Sequence, residues 1–227
     1  ALGILEVKWI YPHAIAEARE QWLVSERHEL GAAAALEAVG RQVLSQCGIG
    51  INDIRHLDVY SCFPVAIETG CAALGLPQER WPSATVTGGL PYFGGPGNNY
   101  VTHALSAVAR LLRRDPGCWG MVTGVSYYLS KQAAAVLSAR APRHPVEWAA
   151  ETPLQRHLDA RAPVVVDVTP CGAAKIETYT VTTDREGRPR GIVLGRLDGS
   201  NRRFIANVPS SETHLQAMVR QDMLGQT

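Results

Sequence analysis

Between Thr87 and Tyr100 the chain reads Thr-Gly-Gly-Leu-Pro-Tyr-Phe-Gly-Gly-Pro-Gly-Asn-Asn-Tyr, a glycine-dense turn leading into an amphipathic helix. Glycine lets the backbone bend and come close to a ligand. A helix start adds free N–H groups and about half a positive charge. Together they suit a carbonyl oxygen, a carboxylate or a phosphate. No His, Cys, Ser, Asp or Glu stands between Gly88 and Tyr100, so the turn brings no acid, base or nucleophile of its own. It lacks the Gly-Lys-Ser/Thr ending of a phosphate loop and is not a dinucleotide fingerprint. A second turn, Tyr60-Ser61-Cys62-Phe63-Pro64, places a phenol, a hydroxyl and a thiol where a strand should give way to a helix. Such a place favours a thiolate. Cys62 therefore reads as a reactive thiol or as a packing residue. Tyr60 reads as a hydrogen-bond donor toward a ligand oxygen or as an ordinary core tyrosine. Asn98 and Asn99 suit helix capping better than ligand contact. Lys131, close to Ser126 and Tyr127, faces either an anion or solvent, solvent being the default.

The elements that must hold these turns follow from periodicity. Val7–Tyr11 reads as a strand, followed by a long connection. Ala32, Leu36, Val39, Val43, Leu44 and Cys47 mark a helical face that Gly48 stops. Leu57–Tyr60 is a short strand, and a helix over about 63–74 begins with Pro64 in its first turn. Ala84–Thr87 reads as a strand entering the glycine turn. Val101, Ala104, Leu105, Val108 and Leu112 stripe the next helix, and Trp119–Thr123 reads as a buried strand. Residues 127–139 fit strand or helix. Strands alternating with helices predict a layered α/β domain over 1–145, with ligands gathering where strands end. Beyond Ala141-Pro142-Arg143-His144-Pro145 the pattern turns to β. Strands are expected at 164–168, 175–183, 191–197 and 202–208, with a short helix over 212–219. These predict a second domain over 150–227, a small antiparallel, OB-like β-barrel.

Composition narrows the function. At 227 residues, with 46% hydrophobic and 19% charged residues, the chain can hold a real core. A net charge of +1 argues against general attraction to nucleic acid or anionic membrane. Arg185, Arg188, Arg190, Arg202 and Arg203 cluster around the expected hairpins, but Asp184, Glu186 and Asp198 dilute them, so nucleic acid is not the expected partner. No apolar run is long enough to span a bilayer. Cys47, Cys62, Cys71, Cys118 and Cys171 are odd in number, scattered and without a CxxC pair, which reads as reduced cytoplasmic thiols. The histidines show no ligand spacing, and no metal site is expected. The first residue is Ala1 rather than Met, which reads as a fragment or processed piece.

Asp58-Val59-Tyr60-Ser61-Cys62-Phe63-Pro64, the glycine turn and Val122-Thr123-Gly124 stand in the order seen in the C-terminal half of thiolases. The chain resembles the sterol-carrier-protein-type branch and, within it, thiolase-like proteins labelled acetyl-CoA acetyltransferase. Segment 150–227, with Glu177-Thr178-Tyr179-Thr180-Val181 and Asp184-Arg185-Glu186-Gly187, resembles the additional C-terminal domain of those proteins. The resemblance implies acyltransfer chemistry on a coenzyme A thioester, with no resident cofactor. It implies candidate substrate-binding residues Tyr60, Ser61, Cys62, Phe63, Gly94, Gly95, Pro96, Asn98 and Gly124. Where the family places a GHP histidine this chain has Gly95, where it places the CxG cysteine it has Val122, and where it places an Asn or His it has Tyr60. The half that bears the family's nucleophile is not in this sequence. No catalytic residue is therefore assigned, and thiolysis by this chain alone is not expected. Three functions remain open: a thioester-binding module, one half of an acyltransferase completed by a partner that supplies the N-terminal half, and a non-catalytic scaffold; the partner expected is that half or a second copy in a homo-oligomer.

Overall fold

The computed structural model describes residues 3–146, 153–209 and 212–227. Residues 147–152, at the expected domain junction, lie outside the described residues, and with them the first three of segment 150–227. The chain divides into two units, one of residues 1–22 and 31–161, the other of 23–30 and 162–227.

In the first unit, strand β1 (Tyr11–Arg19) alternates small inward residues, Ala14, Ala16 and Ala18, with outward His13, Ile15 and Glu17. The strand expected at 7–11 is displaced. Residues Glu6–Lys8 instead form a 3₁₀ turn, with the Lys8 and Trp9 N–H groups donating to Leu5 and Glu6 carbonyls. Helix α1 (Ala34–Cys47) buries Ala35, Leu36, Val39 and Val43 and closes on Gly48. Strand β2 (Ile54–Asp58) leads into helix α2 (Pro64–Ala73), with Pro64 at its first position. The run 84–87 is not a strand; just beyond β2 the Val59 N–H donates to the Ala84 carbonyl at 2.8 Å. A short helix α3 (Leu90–Phe93) interrupts the glycine turn, and α4 (Tyr100–Arg114) follows it. Strands β3 (Trp119–Ser126) and β4 (Lys131–Ser138) complete a sheet of order β1-β4-β3-β2. Only β2 and β3 run parallel.

Both faces of this sheet are covered. Ala134, Val136 and Met121 pack with α1 in one cluster; Val122 and Leu137 pack with Ala104, Val108 and Leu112 of α4 in another. Adjacent residues Met121 and Val122 thus point to opposite layers, as a strand requires. Helix α4 lies close over β3 because Gly120 has no side chain; a Cβ there would collide with Val108 Cγ1. Helix α5 (Pro153–Asp159) borders β1, its Gln155 side chain taking the Arg19 N–H at 2.7 Å and donating to the Arg19 carbonyl at 3.2 Å.

In the second unit, β5 (Ala174–Thr183), β6 (Pro189–Leu197) and β7 (Arg203–Asn207) form an antiparallel meander. Helix α6 (Glu212–Arg220) turns buried Leu215 and Met218 inward. Among the described residues the sheet is open, not the expected closed barrel. The expected strand at 164–168 contributes one bridge, Val166 to Arg203. The outer edge of β5 is occupied by the tail, through Ile176 N–H to Gln226 and Gly225 N–H to Ile176 bonds. Each edge is taken before β5 and β7 can meet. Arg203, 1% exposed, fastens the segment 23–30: its guanidinium donates to Glu177 Oε2 at 2.5 Å, Ser25 O at 2.7 Å and Arg27 O at 2.5 Å. Burial alone would push the Glu177 carboxyl up, but hydrogen bonds and charge from Arg203 and Arg196 carry it below its usual value.

Candidate functional site

Strands β2 and β3 end at the edge of the sheet where α4 begins, and there a cavity of about 820 Å³ opens. This is where a layered α/β sheet collects ligands, and the volume lies within the range of small-molecule sites. The loop after β2 supplies Tyr60, Cys62 and Phe63; the start of α4 supplies Asn98, Asn99, Tyr100 and Val101. The ends of β3 and β4 add Gly124, Lys131, Gln132 and Ala133, and β1 adds Glu17 and Arg19.

The glycine turn is held from behind by a buried polar chain. Asp58, fully buried, accepts the Thr87 N–H at 2.9 Å and the Thr87 hydroxyl at 2.8 Å on Oδ2. Thr87 Oγ1 also lies 2.7 Å from the Tyr100 hydroxyl, which lies 3.5 Å from Ser61 Oγ. The Tyr60 N–H donates to Thr123 Oγ1 at 2.9 Å, and the Tyr60 ring meets the Tyr100 ring edge-on at 5.2 Å. The two special turns are thereby tied together through Thr87, Tyr100 and Ser61. Gly89, with φ 94° and ψ 178°, and Gly94, with φ 75° and ψ 166°, occupy backbone conformations that are essentially confined to glycine.

Burial pushes the Cys62 thiol up, partly offset by its own and Phe63's backbone N–H groups; burial also pushes Tyr60 up, with Cys62 and Tyr100 adding to it. Both side chains are therefore protonated at neutral pH and act as donors rather than bases. Among the described residues the cavity lining contains no histidine. His103, on α4, packs instead against Phe93 at 5.6 Å and Tyr100 at 6.1 Å between ring centroids. Lys131 Nζ sits 5.6 Å from the Tyr127 ring centroid and 6.0 Å from that of Trp22. That cation–π pairing leaves its charge at the cavity rim.

Of the candidate substrate-binding residues, Tyr60, Cys62, Phe63, Asn98 and Gly124 line the cavity. Ser61, Gly94, Gly95 and Pro96 lie outside that lining. A Cβ on Gly95 would press on Leu90 Cδ2 at 2.9 Å rather than on the cavity. Val122 is buried under α4. Asn99 precedes α4 without capping it by its side chain, which accepts the Thr102 hydroxyl at 2.8 Å instead. Glu17, Arg19, Gln132 and the Asp58–Thr87 pair were not singled out.

Burial, opposed by the hydrogen bonds from Thr87, raises the Asp58 carboxyl above its usual value, and Asp58 Oδ1 has no aligned partner. The stability this residue contributes is full below the ordinary carboxylate value and is lost as pH rises through the raised one. Asp58→Asn is neutral throughout. The melting temperature of Asp58→Asn relative to wild type should therefore become more favourable from about pH 4 to about pH 7; a gap independent of pH would contradict the assignment.

Residues 153–227 match a family described as the thiolase-like protein type 1 additional C-terminal domain. Over 99% of its length the chain matches, at 34% identity and a TM-score of 0.87, a crystal structure described as a monomeric SCP2-thiolase like protein type 1 from Mycobacterium smegmatis. The match takes in 49% of that protein, so the chain spans about half its length. No curated protein matches.

Proposed function

The chain is a thiolase-like protein of the SCP2 type, and on that premise we propose that it holds an acyl-CoA or related thioester in the cavity at the sheet edge and performs no thiolase reaction by itself. The observation that carries this reading is the lining. Residues of the three family motifs, Tyr60, Cys62, Asn98 and Gly124, converge there with Lys131 and Gln132. The amides and the phenol suit a thioester carbonyl and the amide groups of an extended thiol arm, and Lys131 suits an anionic group at the rim. Thiolase chemistry needs a thiolate to take the acyl group and a base to remove a carbon-bound proton. Cys62 and Tyr60, both pushed up by burial, supply neither at neutral pH. Five free thiols suit a reducing, cytoplasmic setting.

Ala133 is half-buried in the lining, and Ala133→Phe fills the cavity without touching the buried Asp58 network. Calorimetry should give measurable affinity of the purified chain for acetyl-CoA, weakened about tenfold or more in Ala133→Phe, in line with a loss of some 1.4 kcal/mol. Acetoacetyl-CoA thiolysis should stay at background. Unchanged affinity in the variant would remove the thioester from this cavity, and clear turnover would remove the non-catalytic reading.

A second reading rests on the match to half of a longer protein and on exposed apolar residues beside the cavity. Phe63 and Tyr127 of the lining are 69% and 65% exposed, and the neighbouring Tyr128 is 73% exposed. In that reading a partner polypeptide supplies the nucleophile-bearing half. Thiolysis that appears only when a cysteine-bearing thiolase-like half is added would select it.

A further inference from the structure

At the other end of β3, three side chains outside the cavity meet. His56 comes from β2, Asp115 follows the last turn of α4, and Cys118 immediately precedes β3. Their positions along the chain gave no ligand spacing; the parallel pairing of β2 with β3, which sets His56 opposite Gly120, brings them together. The Asp115-Pro116-Gly117-Cys118 turn is fixed at both ends, Asp115 N–H donating to Leu111 O at 2.9 Å and Cys118 N–H to Asp115 O at 3.0 Å. It presents a carboxylate and a thiol toward one imidazole. His56 Nε2 lies 3.0 Å from Asp115 Oδ2, and the imidazole nitrogen, carboxylate oxygen and sulfur all lie within 4.8 Å of one another.

We propose that His56, Asp115 and Cys118 form a three-ligand site for Zn²⁺. One nitrogen, one oxygen and one sulfur make a donor set of intermediate softness, which suits zinc and not the all-oxygen preference of Ca²⁺ or Mg²⁺. Tetrahedral zinc, with bonds of about 2.0–2.3 Å, sets its ligand atoms roughly 3.3–3.8 Å apart. The His56–Asp115 separation is already close to that, and rotation of the Cys118 side chain draws the sulfur in. The metal replaces the His56–Asp115 hydrogen bond and takes the thiolate as the Cys118 proton leaves to solvent. The Asp115 side chain is half exposed, so an ion can reach the site, and three protein ligands leave a fourth position for water. This site is independent of the thioester cavity.

The test uses the purified full chain after treatment with a chelator. Zn²⁺ is titrated against a chromophoric chelator, and Co²⁺ serves as a spectroscopic stand-in. The expected result is one equivalent of metal, a cobalt–thiolate absorption band, loss of that band in Cys118→Ser, and zinc affinity weaker by about tenfold or more in both Cys118→Ser and Asp115→Asn. Asp115→Asn changes a half-exposed side chain, so it keeps the test open if Cys118→Ser folds poorly. Absence of zinc uptake at micromolar concentration would overturn the proposal, as would equal affinity in the variants, which would assign the metal to other cysteines.

Discussion

Arg203→Ala is expected to lower the stability of the second unit by about 3–5 kcal/mol, the usual cost of removing one partner from a buried charge network. The guanidinium is almost wholly enclosed, and its removal takes a donor from Glu177 and from the Ser25 and Arg27 carbonyls at once. Arg196 still reaches Glu177, at 2.7 Å, so the main damage falls on the carbonyls and on the space left behind. Arg203→Lys should recover only part of the loss, because one ammonium cannot replace a planar fork that serves three acceptors. Hydrogen exchange at the β5–β7 amides reads the effect unit by unit. A loss below about 1 kcal/mol would show that Arg203 does not fasten the 23–30 segment. Wild type should also weaken in acid. The lowered carboxyl of Glu177 contributes stability above the ordinary carboxylate value, lost as pH falls through the lowered one. Arg203→Ala should blunt that acid sensitivity.

Gly89→Val is expected to be nearly as severe, at about 2–5 kcal/mol, from two separable causes. Its backbone conformation belongs to glycine, and an added Cβ would meet Ser61 Oγ at 2.9 Å. Gly94→Ala separates them: it has a similar backbone conformation but open space around the new Cβ, so it should cost only the backbone part, about 1–3 kcal/mol. Gly97→Ala, with neither strain nor contact, should fall within about 0.5 kcal/mol of wild type. Chemical denaturation measures all three. Wild-type stability in Gly89→Val would mean that the turn accepts a side chain at a backbone conformation that belongs to glycine.

The helices were legible because their apolar residues recur at helical spacing. The stripe from Val101 to Leu112 falls within Tyr100–Arg114, and that from Ala32 to Cys47 falls within Ala34–Cys47 apart from Ala32, which precedes the helix. The later strands were legible from their turns, Asp184–Pro189 and Asp198–Asn201. β1 was not, because its inward residues are alanines, which carry helix propensity and little hydrophobic contrast. The barrel reading rested on strand spacing and on the resemblance of segment 150–227. Spacing cannot show that Val166 and the tail occupy the edges that closure requires. The cavity was legible on the side built from local motifs, Tyr60 to Phe63 and Asn98. Its far side, Glu17, Arg19 and Gln132, depends on pairing between distant stretches. The polar chain behind the turn was hidden for the same reason, since Asp58 and Thr87 meet only in the folded sheet.

The place of β4 in the sheet has a consequence for biosynthesis. Among the described residues β1 pairs only with β4 within its sheet, Tyr11 opposite Ser138 and Arg19 opposite Lys131. Synthesis must therefore proceed almost to the end of this unit before β1 finds that neighbour, a delay on the order of ten seconds at ordinary elongation rates. During that interval the alanine-lined ribbon and the uncovered side of α1 are open to wrong associations, and contacts that span so much chain form slowly. Arrival of the 131–138 segment is the event that converts a row of waiting pieces into a closed layer.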